Sequence, residues 1–149
     1  MSNIAYTVYP SEYYQAEEAR EMVKRIDEFS YNCLFTDAYW CHVTFVAVAH
    51  DRETLGIIGL ATLAPWDSNG EGAPKIIGVY VRSEYRQQGI ATQLDALLCE
   101  RSFLEYGTWP CCVATTRHGL LLAKSVQRRY SLAVRDLSSF KAFSRRLCE

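Results

Sequence analysis

The chain is short of the features that would send it to several common protein classes. Its formal net charge is only -1 over 149 residues, so no general pull toward nucleic acid is expected. No apolar run approaches the ~20 residues that a membrane helix requires. The opening MSNIAYTVYP has no basic stretch ahead of an apolar one, so no secretory signal is read there and a cytoplasmic location is expected. Six cysteines are present, yet none pairs as Cys-x-x-Cys and no His falls at a zinc-finger interval, so no metal site is expected. Cys111 and Cys112 are adjacent, so their side chains leave opposite faces of a strand and do not readily bridge each other. Reduced, mostly buried thiols are expected for these two and for Cys33, Cys41, Cys99 and Cys148. There is no internal repeat, low-complexity tract or linker. The chain reads as one domain, 1–149, long enough to bury roughly 70% of its unfolded surface.

What is present is a run of short apolar segments. Ile4 to Val8 alternates as a first strand ended by Pro10, and Ser11 reads as the N-cap of a helix over Glu12 to Phe29. Ala16, Ala19, Met22, Val23, Ile26 and Phe29 make its apolar stripe. Ser30 to Cys41 is aromatic and irregular. Its Tyr31, Phe35, Tyr39 and Trp40 either cap the core or wall a substrate pocket. His42 to Ala49 and Leu55 to Leu63 form an antiparallel hairpin about Asp51–Thr54, and Pro65 to Pro74 is a loop. Cys111 to Thr115 reads as a strand, His118 to Arg129 as a helix and Tyr130 to Val134 as a short strand. Phe140 to Leu147 suits either a helix or a half-buried edge strand.

The most informative stretch is Lys75 to Leu98. Ile76 to Val81 has the β-branched composition of a buried strand. From Gly89 onward Ile90, Leu94, Leu97 and Leu98 recur at helical spacing, with Gln93, Asp95 and Glu100 mostly on other faces. The joint between them is a short polar turn ending in small residues. Such a turn leaves backbone N–H groups unpaired at the positive pole of a helix, which is a seat for phosphate. No Gly-Lys-Ser/Thr follows, and no third glycine, so neither a Walker loop nor a Rossmann fingerprint is present.

Arg86-Gln87-Gln88-Gly89-Ile90-Ala91 fits Arg/Gln-x-x-Gly-x-Gly/Ala directly after Val79-Tyr80-Val81. This resembles the acetyl-CoA signature of the GCN5-related N-acetyltransferases, the GNAT superfamily. The specific likeness covers residues 75 to 105, and the order of the other elements extends it loosely over most of the chain. The resemblance implies an α/β fold: a mostly antiparallel sheet of six to seven strands, splayed between strands four and five and flanked by helices. It also favours an edge strand at the chain's end, where pairing into a homodimer is common. It implies an enzyme that moves an acetyl group from acetyl-CoA directly to a primary amine on a small molecule, peptide or protein. The backbone of Val79 and Val81 would pair with the cofactor's amide arm, and the N–H of Tyr80 or Val81 would face the thioester carbonyl. The N–H groups of Gln87, Gln88, Gly89, Ile90, Ala91 and Thr92 would hold the pyrophosphate, with Arg86 adding charge.

The chain departs from the family's pattern where proton transfer is concerned. The Glu or His often found early in strand four is replaced by Lys75 or Ile77. The Tyr often found after strand five is replaced by Gln127, or by Ser125 in a shifted register. Tyr130 and His118 are the remaining candidates for the catalytic acid and base. Both have ordinary alternatives, as a core aromatic and as a surface or capping His. Asp67 and Glu71 would act through water or attract a cationic acceptor, or only solvate their loop. Arg128, Arg129, Arg135, Arg145 and Arg146 make the C-terminal third basic, either as a solvated face or toward an acidic substrate. Two other readings stay open: a CoA-binding sensor without catalysis, and a toxin-like acetyltransferase acting on aminoacyl-tRNA.

Overall fold

Short runs of Val, Ile, Leu and Ala become buried strands when helices cover both faces of a sheet, and that is their fate here. The computed structural model describes residues 3–25, 40–65, 74–114, 117–130 and 134–136. In chain order these form β1 (Ile4–Pro10), α1 (Tyr14–Lys24), β2 (Phe45–Asp51), β3 (Ile57–Ala64), β4 (Lys75–Val81), a 3-10 turn (Ser83–Tyr85), α2 (Ile90–Tyr106), β5 (Cys111–Ala114), α3 (Arg117–Tyr130) and β6 (Val134–Asp136). The strands make one mixed sheet in the order β1-β2-β3-β4-β5-β6. β1 to β4 are an antiparallel meander. β5 and β6 join in parallel, each after a helical crossover as parallel pairing demands.

Alternation along the strands sorts the core into two layers. Ala47, Ala49, Ala61, Leu63 and Ile76 pack against Ile90, Leu94 and Leu98 of α2 and Ala123 and Val126 of α3. The other face sets Val46, Val48, Leu60 and Tyr80 against Ala16, Ala19 and Val23 of α1, closed over by Trp40. The sheet is therefore sandwiched between helices. No helix among the described residues is long and apolar enough to cross a membrane.

Two irregularities in β4 position everything that follows. Leu60 pairs with Tyr80 but Thr62 pairs with Ile77, so one residue of β3 faces two of β4. That bulge falls at Gly78, which has φ +78°, a left-handed conformation natural to glycine in a bulge. Beside it the parallel pairing of β4 with β5 covers only Lys75–Cys111 and Ile76–Cys112. Beyond Ile76 the two strands part, and the expected splay between strands four and five is present.

Several boundaries differ from the sequence reading. Ser11 is not an N-cap: its N–H bonds the Thr44 carbonyl at 2.9 Å, which holds Pro10–Tyr13 in a turn, and α1 begins only at Tyr14. β2 begins at Phe45 rather than His42, because Val43 N–H turns back to the Trp40 carbonyl. Tyr130 is the last residue of α3, not the start of a strand, and β6 runs Val134–Asp136. Asp95 is buried at 2% exposure instead of lying on a polar face, since α2 is covered by both the sheet and α3. Cys41, Cys99, Cys111 and Cys112 are free thiols, Cys41 exposed and Cys111 half-buried. Cys33, Cys148, Tyr31, Phe35, Tyr39, Asp67, Glu71 and the tail from Phe140 lie outside the described residues.

Candidate active site

The turn between β4 and α2 folds by handing its side chains back to the strand. Arg82 donates from its backbone N–H to the Ile58 carbonyl at 2.8 Å and from Nε to the Ile57 carbonyl at 2.7 Å. Arg86 donates from Nε to the Val81 carbonyl at 2.9 Å, and its guanidinium carbon lies 5.8 Å from the centre of the Tyr80 ring. Arg86 is thus tied to the end of β4 rather than being a plain solvated turn residue. The chain then takes left-handed values at Gln87, φ 65°, and Gly89, φ 78°. Tight turns of this kind make successive N–H groups converge on an anion.

Gly89 is the N-cap of α2, and among the described residues no side-chain cap bond is made there. The first intrahelical bond runs from Gln93 N–H to the Gly89 carbonyl at 3.0 Å, so the N–H groups of Ile90, Ala91 and Thr92 precede it and point out of the helix end. No acidic residue stands in the first turn to neutralise the dipole. A Cβ at Gly89 would meet no atom within 4 Å. These are the conditions for seating a phosphate group, and they satisfy the fit that a diphosphate-bearing cofactor demands.

Val81, Tyr85, Arg86, Gln87, Gly89, Ile90, Ala91 and Thr92 line one cavity of about 200 Å³ at this helix end. Seven of the ten expected cofactor-binding residues therefore meet there. Gln88 is exposed and does not line it. Val79 packs half-buried against the α2 face of the core, and Tyr80 is buried on the α1 face. Tyr85 was not expected; the 3-10 turn Ser83–Tyr85 carries it into the wall, and an aromatic residue in a polar turn was its one sequence signal. Two larger clefts, of about 370 and 490 Å³, lie elsewhere. Backbone donors, not size, single out the smaller one.

The edge of β4 completes the geometry. Arg82 N–H faces β3, and neighbouring residues of an antiparallel strand present their backbone groups to opposite edges. The N–H of Val81 accordingly faces the gap left by β5, on the same side as its C=O, which accepts from Arg86 Nε, while the N–H and C=O of Tyr80 face β3.

Of the expected proton-transfer residues, His118 falls in the first turn of α3 and Tyr130 at its end; their side chains lie outside the described ones. Ser125 and Gln127 are exposed on α3. Among the described residues no three His, Cys, Asp or Glu side chains group as metal ligands. One buried ionisable cluster was missed. Asp95 sits one turn before Cys99 on α2, close to Cys112 of β5. Burial pushes the Asp95 carboxyl up from 3.8 to about 8. A hydrogen bond with Cys99, then burial, then the Asp95 charge hold the Cys112 thiol far above its usual range.

A split sheet with an uncapped helix end at the mouth of the split is a frame for carrying a phosphate-tethered group to an open strand edge. The chain matches the model of the Acetyltransferase (GNAT) family over residues 5–118, and it belongs to that family. Among solved structures, the GNAT-family N-acetyltransferase YhbS of Escherichia coli, in complex with CoA, is 20% identical, with 68% of this chain and 58% of that one covered and a TM-score of 0.51. The chain thus spans somewhat over half the length of that protein. The ribosomal-protein-alanine N-acetyltransferase of Brucella melitensis biovar Abortus 2308 is 16% identical, at 83% and 89% coverage and a TM-score of 0.55. The glucosamine-6-phosphate N-acetyltransferase of Arabidopsis thaliana is 11% identical, at 82% and 90% coverage and a TM-score of 0.51. At these identities the likeness is one of fold. No curated protein sequence matches the chain.

Proposed function

We propose that this chain binds acetyl-CoA and transfers its acetyl group directly to a primary amine. The observation that carries the reading is the uncapped N-terminus of α2 at Gly89, set beside a β4 edge that is open beyond Ile76. Acetyl-CoA would supply an acetyl group already activated as a thioester. Gln87 and Gly89 to Thr92, which line the cavity, would hold the diphosphate by their N–H groups, and Arg86 would add a fixed positive charge at the same mouth. Val79 and Val81 offer β4 backbone groups to the amide arm, as a strand accepts a neighbour. Val81 is the better placed donor for the carbonyl oxygen that gains charge during transfer, because the Tyr80 N–H is turned toward β3. An amine arrives protonated, with a pKa of about 10.4, so a base or a water chain must take its proton. His118 and Tyr130, at the two ends of α3, are the groups of this chain proposed for that task.

Two assays test the reading together. Titration calorimetry with acetyl-CoA should give a saturable heat, and CoA release should then appear with members of an amine panel. No heat from a folded sample would overturn the assignment. A second reading, a CoA-binding sensor, is favoured by Lys75 and Ile77 standing where the family often has a base. The exposed Ser125 and Gln127 at the usual Tyr position point the same way. Tight CoA binding with no turnover on any amine would select it.

A further inference from the structure

The cleft of about 370 Å³ lies at the same end of β4 as the phosphate turn but on the other face of the sheet. α1 and its C-cap contribute Glu18, Glu21, Met22 and Arg25, the turn into β3 contributes Leu55 and Gly56, β3 itself Ile57, and Arg82 follows β4. The strand alternation explains the placement. Val81 packs on the α2 face and lines the phosphate cavity, Tyr80 packs on the α1 face, and Arg82 turns to the α1 side with it.

The charges of this cleft are not equivalent. Glu21 pairs with Lys24 at 3.6 Å, and Glu18 accepts a hydrogen bond from the Tyr14 hydroxyl. Both carboxylates are therefore engaged along α1 itself. Arg25 is exposed and enters no ion pair among the described residues. Arg82 spends Nε on the Ile57 carbonyl at 2.7 Å, which fixes the guanidinium plane and leaves its two terminal amino groups for a ligand. A fork held this way matches a carboxylate. Apolar Met22, Ile57 and Leu55 line the same cleft as the two arginines. Leu55 is held in a left-handed backbone at φ 61° and is 69% exposed, a strained, wet position for a leucine.

We propose that this cleft seats the acyl acceptor, and that the acceptor is an amine bearing a carboxylate and an apolar side chain, such as a short peptide or amino acid. The proposal rests on the acyl-transfer reading. The carboxylate binds Arg82 and Arg25, and the apolar group covers Met22, Leu55 and Ile57. The amine then points along the end of β4 toward the gap. Because the sheet is open beyond Ile76, a group seated on the α1 face would approach an acyl group bound in the gap from the other side.

The test separates this proposal from the reading beneath it. The protein is first titrated with CoA, whose heat reports on the cofactor site and not on the acceptor cleft. The dipeptide alanyl-leucine and its C-terminal amide are then titrated into the CoA complex and into the free protein. The carboxylate form should bind about tenfold tighter than the amide, as loss of a charge-assisted hydrogen bond predicts. Arg25→Ala should abolish that preference while leaving the heat of CoA binding unchanged, and Arg82→Ala should abolish it as well. Arg25 is exposed and makes no described side-chain bond, so its variant keeps the test valid if Arg82→Ala fails to fold. Equal affinity for the two forms, or binding of neither, would overturn the acceptor class whatever CoA does. Absence of CoA heat would instead overturn the acyl-transfer reading.

Discussion

Gly59 lies directly against the main chain of Tyr80: a Cβ at position 59 would stand 2.5 Å from the Tyr80 carbonyl oxygen and 3.2 Å from Val81 Cα. The obstacle is backbone, which cannot swing aside. Gly59→Ala should therefore push β3 away from the one segment of β4 whose other edge is open. A loss of about 1–3 kcal/mol is expected for such overpacking, read from the urea midpoint. CoA affinity should fall with it, because the displaced residues are those proposed to meet the cofactor. An unchanged midpoint would mean that the two strands are not in this register.

Gly89 presents the opposite case. No atom lies within 4 Å of its missing Cβ, but its φ is +78°, where an L-residue is strained by about 1–2 kcal/mol. Gly89→Ala should lower stability by about that amount. Gly89→Glu adds a negative charge beside the helix N-terminus and places a side chain in the phosphate seat. Its stability should equal or slightly exceed that of the Ala variant, since a carboxylate is favourable at a helix N-terminus. Acetyl-CoA affinity should drop by more than about tenfold, since both the seat and its positive potential are lost. Calorimetry on both variants decides the matter, and equal affinities would remove the turn from the site.

The turn was legible because its chemistry restricts residue identity. Backbone donors can approach a diphosphate only where side chains are absent or small, so Gly89 and Ala91 leave a trace in the sequence. Gly78 carries no such trace. A lone glycine in a β-branched run predicts only a weakened strand, and its role in the bulge depends on where β3 runs beside it. Gln87 is equally silent, for nothing in its side chain announces a left-handed backbone. Asp95 was misplaced for a related reason. Helical periodicity assumes one wet face, but α2 is enclosed by the sheet and α3, and enclosure is a property of the whole fold. Ser11 has the chemistry of a cap, yet a bond to Thr44, far along the chain, decided its conformation.

Trp40 settles against α1. It is 8% exposed, packs with Ala16, Ala19 and Val23, and lies 5.0 Å from the buried Arg20 guanidinium. Of the two roles open to it in the sequence, this contact set belongs to the core cap. Trp40→Ala should cost about 3–5 kcal/mol by cavity formation. Trp40→Phe keeps an aromatic face for Arg20 and should cost clearly less. Denaturant unfolding of the pair checks the order, and equal losses would show that the ring face contributes nothing.

Asp95 ties stability to pH through α2. It is 2% exposed, its Oδ1 has no hydrogen-bond partner among the described residues, and burial raises its pKa from 3.8 to about 8. Once released into water by unfolding, the group ionises near its ordinary value. Between about pH 4 and pH 8 the folded chain therefore holds one proton that the unfolded chain has lost. Stability from this residue is complete below the lower value and falls as pH rises, by about 1.4 kcal/mol per unit. Above pH 8 the loss is full, and a bare carboxylate is left in the core beside Cys99 and Cys112. Asp95→Asn removes the charge while keeping the shape. Its unfolding midpoint should exceed that of the parent at pH 9, and the gap should close steadily as the pH is lowered toward 5. Parallel profiles for the two proteins would show that Asp95 does not take up this proton on folding.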